Sequence, residues 1–447
     1  MSGVRDPLRV GGVLRQGGRW RNWGRSQQSY PEFVSRATSV GEVVDTLAFA
    51  RDQGLTVRPI GAGHSFTAIA ATDGVQLDIS AIDGVLAVEG NLVTLGAGTN
   101  LYQLPALLGQ HGLALENMGD IDRQTIAGAI STGTHGTGAR FGGLAAQVEA
   151  LTLVTADGGV LRVSATENAE LLPAARLGLG ALGILVDVTL RCVPHYMMHA
   201  LETPEPLEAV LDNWVERATA VDHFEFYWFP HTTSALTKTN IRMPGDTPPK
   251  RQGRVAAWID DELLPNGLYR VMCELGVIAP ATTPPLNRLA DKLVAAREVT
   301  DGWHAVLTSP RRVRFREMEY AIPRDNVPAA LRAVRELIDK RGWRITFPVE
   351  VRVAASDANW LSTAQGRETG YIAVHRYYRE DPTEYFTEVE AIMRDHDGRP
   401  HWGKMHNRTA ADLRPAYPHF DDFLAARDRL DPDRLFANEY LTRVLGS

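Results

Sequence analysis

Up to about residue 194 short apolar runs alternate with glycine-rich breaks, and the runs carry two periods. Val43, Val44, Leu47, Ala48 and Ala50 fall on one side of a helix. Ser39 and Glu42 precede it with the spacing of a capping box, and Gly54 ends it. A strand is predicted over Thr56 to Ile60, running straight into Gly61-Ala62-Gly63-His64-Ser65, a tight turn that leaves backbone exposed. Further strands read at Val75 to Ile79, Leu92 to Leu95, Leu151 to Thr155 and Val160 to Val163. Asp157-Gly158-Gly159 joins the last two as a hairpin. Leu179 to Val186 then leads through Gly180 and Gly183 into a strand ending near Cys192.

From about His195 the pattern changes, with fewer glycines and more aromatics. The alternation in Phe224 to Phe229 predicts a half-buried strand, residues 243 to 254 an exposed loop, and Asn326 to Lys340 an amphipathic helix. A chain of 447 residues is long for one core. The composition shift divides it into a tail over 1–18, a first domain over 19–194 and a second over 195–447. Six arginines against one acid in residues 1 to 28 read as a solvated tail.

Charge and cysteine content then remove several classes. The balance of 47 basic and 54 acidic residues gives −7, so the electrostatic footprint of a nucleic-acid binder is missing. The two cysteines, Cys192 and Cys273, have no ligand-like neighbours, so neither a disulfide framework nor a zinc site is indicated. No apolar run approaches the roughly 20 residues of a membrane span, and no secretory leader is visible, so a cytoplasmic location is expected.

Chemistry concentrates in a few places. Gly119 to Gly143 includes Thr125-Ile126-Ala127-Gly128 and Ser131-Thr132-Gly133-Thr134-His135-Gly136-Thr137-Gly138. Glycines at this density let the main chain approach a large planar or phosphate-bearing ligand. His64 stands in its own turn, where an imidazole projects toward a cofactor edge. Glu350 and Arg352 are two apart in a strand-like run and share a face; by themselves they would be a surface ion pair. Tyr371, Ala373 and His375 share a face likewise, and His401-Trp402-Gly403-Lys404 sets a cation beside a rigid aromatic. His135, His401 and His406 lack metal-site spacing, so no metal is expected. Ser65 and Ser131 lie outside any GxSxG nucleophile motif.

Taken in order, these segments resemble the aldonolactone oxidases and dehydrogenases, with the alditol oxidases, of the vanillyl-alcohol-oxidase flavoprotein superfamily. The resemblance is carried by Trp20-Arg21-Asn22-Trp23, Gly61 to Ser65, Gly133 to Gly138, Gly180-Ala181-Leu182-Gly183, Glu350-Val351-Arg352 and Pro400-His401-Trp402-Gly403-Lys404. The bacterial gulonolactone dehydrogenase branch is most similar, through Met318 to Arg324 and Arg429 to Arg434. The resemblance implies an α+β fold of two domains. An N-terminal FAD-binding domain of the PCMH type has two α/β subdomains, and a C-terminal substrate domain has an antiparallel sheet flanked by helices and a last segment returning to the flavin.

It further implies FAD, bound covalently through His64 and held by Ile60, Gly61, Ala62, Gly63, Ser65, Gly119, Ala127, Gly128, Ser131, Gly133, Thr134, His135, Gly136, Gly183 and Ile184. Glu350, Arg352, His375 and Lys404 become the catalytic set, which passes hydride from a polyhydroxylated lactone to the flavin and receives the hydroxyl proton. Reoxidation is by oxygen or another acceptor, and in this family the residue matching Ala127 lies beside the reactive flavin carbon. The alternatives are an alditol oxidase producing hydrogen peroxide and, without turnover, a flavin-binding carrier or sensor.

Overall fold

The computed structural model describes residues 14–251, 267–309 and 311–447. The helix expected near the N-terminus spans Val40–Gln53, with Ser39 Oγ accepting the Glu42 amide and Gly54 closing it in the left-handed region. The reciprocal half of the expected capping box is made one residue earlier: the Glu42 carboxylate takes the Thr38 amide and hydroxyl. The strand Val57–Ile60 follows as the edge of a four-stranded sheet, parallel to Val75–Asp78 beside it, with Phe33–Arg36 and Leu14–Gln16 beyond. The tail expected over 1–18 is therefore structured from Leu14, which pairs with Ser35 and buries its side chain in the core.

A second, five-stranded antiparallel sheet is ordered Val160–Ser164, Val148–Val154, Ile184–Arg191, Leu92–Gly96, Val85–Glu89. Its first two strands are the hairpin turned by Asp157, whose carboxylate accepts the Gly159 amide at 3.0 Å. These two sheets are the two subdomains of the first domain.

Tyr196–Pro206 opens an eight-stranded antiparallel sheet ordered Arg297–Gly302, Tyr196–Pro206, Ser234–Pro244, His223–Trp228, Val349–Ala354, Thr369–Tyr377, Phe315–Pro323, Arg399–Pro400. Phe224, Phe226, Val349, Val351, Val353, Ile372 and Val374 point to one face, where the helices Leu207–Asp212, Val327–Arg341 and Thr383–Asp395 cover them. The Val327–Arg341 helix presents Val327, Ala330, Leu331, Val334 and Ile338, a stripe at helical spacing that excludes water from the sheet.

The strand over 224–229 is therefore not half-buried as its alternation suggested. Glu225 on the opposite face is buried too, 6% exposed, where the first domain packs on the sheet through Gly138 and Asp120. The loop expected over 243–254 begins only after Pro244, and residues 252–254 lie outside the described ones.

The chain then returns to the first domain. Val57 donates to Leu435 O at 2.8 Å, and Phe420, Phe423, Leu441 and Val444 join the core that holds Val43 and Leu47. Arg58, 1% exposed, fastens this return by donating to the carbonyls of Ile69, Leu179, Gly180 and Phe436. Burial, with the Arg427 charge, lowers its pKa to about 9.

Candidate active site

A cleft runs between the loops of the two smaller sheets. Ile60, Gly61, Ala62, Gly63, His64, Ser65, Ala127, Gly128, Ser131 and Gly183 line it. A Cβ on Gly61 would stand 2.5 Å from Thr125 Oγ1, and Gly63 sits at φ +69°, so the turn takes this shape only with glycine at these places. Gly119, Gly133, Thr134, His135, Gly136 and Ile184, expected at the cofactor, are not among the lining residues. Gly136 shows why: a Cβ there would collide with Met118 O and Asn117, so its glycine serves the packing of chain on chain. Ile184 is fully buried at the start of its strand. Gln124, Thr125, Leu179, Gly180 and Leu182 take part instead.

His64 stacks on Trp23 with ring centroids 5.5 Å apart. The Trp23 amide donates to Gly63 O at 2.8 Å, which fixes the turn. Burial, reinforced by the Lys404 and Arg123 charges, lowers the His64 pKa to about 4, so the ring is neutral at neutral pH. Its Nδ1 is buried without a hydrogen-bond partner. A neutral imidazole with an unpartnered nitrogen, on a glycine-lined cleft, fits a flavin dinucleotide.

The second half of the site is the inner face of the eight-stranded sheet. Antiparallel register sets Tyr227 opposite Glu350, Glu350 and Glu319 opposite Ala373, Arg352 opposite Tyr371, and Glu317 opposite His375. Two polar groups result. In the first, Arg352 binds Glu350 and donates from Nε to Glu225 at 3.0 Å, with Asp120 3.6 Å away. Tyr227 Oη donates to Glu350 at 3.1 Å, while Arg311 holds Asp120 at 2.7 Å. Burial alone would weaken the Arg352 charge, but Glu350, Asp120 and Glu225 outweigh it and raise the pKa well above the ordinary value. Glu350 shifts the other way for a carboxylate: burial lifts its pKa although Arg352 opposes the shift.

In the second group Lys404 binds Glu317 and stands 3.9 Å from Glu319. Burial disfavours the ammonium, yet these two carboxylates outweigh it and raise the Lys404 pKa. Glu317 and Glu319 are brought below their ordinary range: burial would raise both, but Lys404 with His375 prevails at the first and His135 with Lys404 at the second. His375 Nδ1 lies 2.9 Å from Pro348 O, with Nε2 3.6 Å from Glu317. His135 stacks on Tyr371 and has Nε2 3.3 Å from Glu319. His135, Glu319 and His401 bring three possible ligand atoms within 4.8 Å of one another, which no short sequence spacing announces. Lys404 already supplies a positive charge there.

Glu350, Arg352 and His375 thus share one buried face, with Lys404 half-buried beside it, and the ion pair that looked like a wet-face pair is 7% exposed at each residue. Sequence reasoning passed over Asp120, Glu225, Tyr227, Arg311, Glu317 and Glu319. The detectable mark was an acid at alternate positions inside an otherwise apolar strand, Phe224-Glu225-Phe226 and Glu317-Met318-Glu319-Tyr320.

Residues 188–444 match the family described as D-arabinono-1,4-lactone oxidase, and residues 31–164 match the FAD binding domain. The chain is 46% identical over 431 residues to an L-gulono-1,4-lactone dehydrogenase of Mycobacterium tuberculosis, covering 96% of this chain and 99% of that one. It is 36% identical to the L-gulonolactone oxidase of Bos taurus, over 96% and 98% of the two chains. Among solved structures, a solvent-stable cholesterol oxidase superposes with a TM-score of 0.82 at 17% identity, covering 99% of this chain and 100% of that one. This likeness concerns the fold.

Proposed function

Since the chain belongs to the D-arabinono-1,4-lactone oxidase family, we propose that it oxidises L-gulono-1,4-lactone or a close stereoisomer and passes the electrons to an acceptor other than oxygen. It is an FAD-dependent oxidoreductase acting on a CH–OH group of an aldonolactone. The observation that carries the reading is the convergence of Glu350, Arg352 and His375 on one buried sheet face, with Lys404 brought to its edge by Glu317.

FAD, when bound, supplies the two-electron acceptor for the hydride leaving the alcohol carbon. Glu350 is the proton acceptor, because burial raises its proton affinity while Tyr227 holds its Oε1 in place. Arg352 is fixed in a dry setting by Glu225 and Glu350 and offsets negative charge as it develops. Lys404, kept charged by Glu317 and Glu319, donates hydrogen bonds to a substrate oxygen and does not compete for the proton. Both cysteines are free and buried, which suits the cytoplasm where we place the enzyme. Anaerobic addition of L-gulono-1,4-lactone, with xylitol in parallel, tests the assignment. The lactone should bleach the yellow protein faster; xylitol being faster would make it an alditol enzyme, and no bleaching by either would leave a carrier.

We assign His64 as the covalent attachment point, on the strength of its neutral, unpartnered ring at the cleft. Acid-precipitated wild-type protein is then expected to keep its flavin fluorescence in the pellet, and His64→Ala to release it. All flavin in the wild-type supernatant refutes the assignment.

The preference for another acceptor rests on Ala127, which lines the cleft at 9% exposure. Its methyl fills space that glycine would leave open to a diatomic molecule. Ala127→Gly should therefore speed reoxidation of photoreduced enzyme in oxygenated buffer and leave anaerobic reduction by lactone nearly unchanged. Equal stopped-flow reoxidation rates place the barrier elsewhere.

A further inference from the structure

A second pocket opens at the edge of the eight-stranded sheet, where the strand Arg399–Pro400 meets the helix Thr383–Asp395, and it shares no lining residue with the cofactor cleft. Arg367, Arg394, Arg399 and Arg408 line it. Arg399 belongs to that strand and Arg394 to the last turn of that helix, while Arg367 and Arg408 stand in loops. Four arginines thus come to one hollow from four separate segments.

An arginine withdrawn from water is ordinarily paired with an acid. Three of these are not. Among the described residues no ion pair holds Arg367, Arg399 or Arg408, and their hydrogen bonds go to backbone carbonyls. Arg399, 7% exposed, donates from Nε to Ala416 O at 2.8 Å and from Nη1 to Gln365 O at 2.7 Å. Arg367 donates only from Nη2, to Ala321 O at 3.0 Å, and the Arg408 guanidinium only from Nη2, to Asp412 O at 2.8 Å. Nη2 of Arg399 and Nη1 of the other two have no protein acceptor, and Nε of Arg367 and of Arg408 is buried without a partner. A carbonyl occupies one donor and leaves the charge unbalanced.

The three charges stand close together. Burial, and next the Arg399 charge, lowers the Arg367 pKa to about 10. All three guanidiniums act on the Tyr417 hydroxyl, which is buried without a partner, and Arg399 lies 5.1 Å from that ring. The acids of the pocket do not neutralise them. The Asp412 carboxylate takes the Thr409 amide and hydroxyl and has Arg394 3.9 Å away, while Asp395 and Asp397 are exposed, where water screens them. Folding therefore gathers like charges around an open space, a cost that a bound anion offsets.

We propose that this pocket binds a phosphate group, either as the free dianion or as the monoester of a sugar. A tetrahedral oxyanion presents an oxygen to each of three guanidiniums arriving from different directions, whereas one fork fills a carboxylate. Exposed Arg394, Asp395 and Asp397 put the mouth of the pocket at the surface, which leaves room for the sugar of an ester. The proposal does not depend on the lactone assignment.

Titration calorimetry of the full-length holoenzyme with inorganic phosphate, in chloride buffer of constant ionic strength, is expected to show one saturable site, and phosphate to raise the thermal midpoint. Arg367→Gln with Arg408→Gln should weaken binding roughly tenfold or more, while anaerobic flavin reduction by lactone, measured without phosphate, stays at the wild-type rate. Phenylglyoxal tests the unaltered protein: phosphate should shield Arg367 and Arg408, read by peptide mass, and leave labelling of exposed Arg36 unchanged. Glucose 6-phosphate in parallel separates the two sources. Binding tighter than that of inorganic phosphate assigns the pocket to a monoester, and weaker binding assigns it to the free ion. No saturable binding of either overturns the proposal, as do tighter binding of malonate, undiminished binding by the double variant, or equal labelling of Arg367 and Arg408 with and without phosphate.

Discussion

Arg352→Ala is expected to slow anaerobic flavin reduction by lactone roughly a hundred- to a thousandfold, the usual cost of removing one preorganised charge from a dry site. Its guanidinium is the shared partner of Glu350 and Glu225 and stands 3.6 Å from Asp120, so its loss leaves Glu350 to Tyr227, Glu225 to Lys238 at 3.8 Å, and Asp120 to Arg311. Breaking such a group also costs about 3–5 kcal/mol of stability. The two effects separate by pH. Arg352 is the main influence lowering the Glu350 pKa; without it the carboxylate is less favoured and the acid limb of the rate profile moves to higher pH. Stopped-flow reduction across pH checks both, and a wild-type rate with an unmoved limb removes Arg352 from the chemistry.

Glu317→Gln should lower kcat/KM roughly tenfold or more, although the residue is a positioning group that acts through Lys404. The amide keeps the shape of the side chain and removes the anion that most strongly favours the Lys404 ammonium. The Lys404 pKa then falls, so activity is lost at lower pH on the basic side, the opposite limb from the Arg352 effect. Lys404→Ala should abolish that difference between Glu317 and Gln. An unchanged basic limb in Glu317→Gln would leave the carboxylate a purely structural role.

How much of this was written in the sequence follows from the range of the interactions. Val40–Gln53, the Asp157 hairpin and Val327–Arg341 are set by caps, turns and periodicity within a few residues, and they read directly. The shared face of Glu350 and Arg352 is equally local, since a strand alternates. Their burial is not. It comes from the 119–141 stretch folding over the sheet: Gly138 donates to Val353 O at 2.8 Å and Asp120 approaches Arg352.

The Glu225–Arg352 bond spans 127 positions, so no window of sequence contains both ends. Glu317 and Glu319 belong to the site only because register sets their strand beside His375 and a later loop brings Lys404 across. The glycines of 119–143 divide in their use. The same residue type lines the cleft at Gly128 and permits close approach of chain to chain at Gly136.

The Arg58 clamp sets an order of events during synthesis. Its side chain touches the wall of the cofactor cleft through Leu179 and Gly180 and the end of the chain through Phe436. Until Phe436 has emerged from the ribosome, a guanidinium in that wall lacks one of its four carbonyls, and burying it incompletely bonded is costly. The N-terminal half is therefore a receptor finished from the far end. Flavin loading is then expected to follow translation, and truncation before Phe436 is expected to cost the cleft wall together with the core residues Leu441 and Val444.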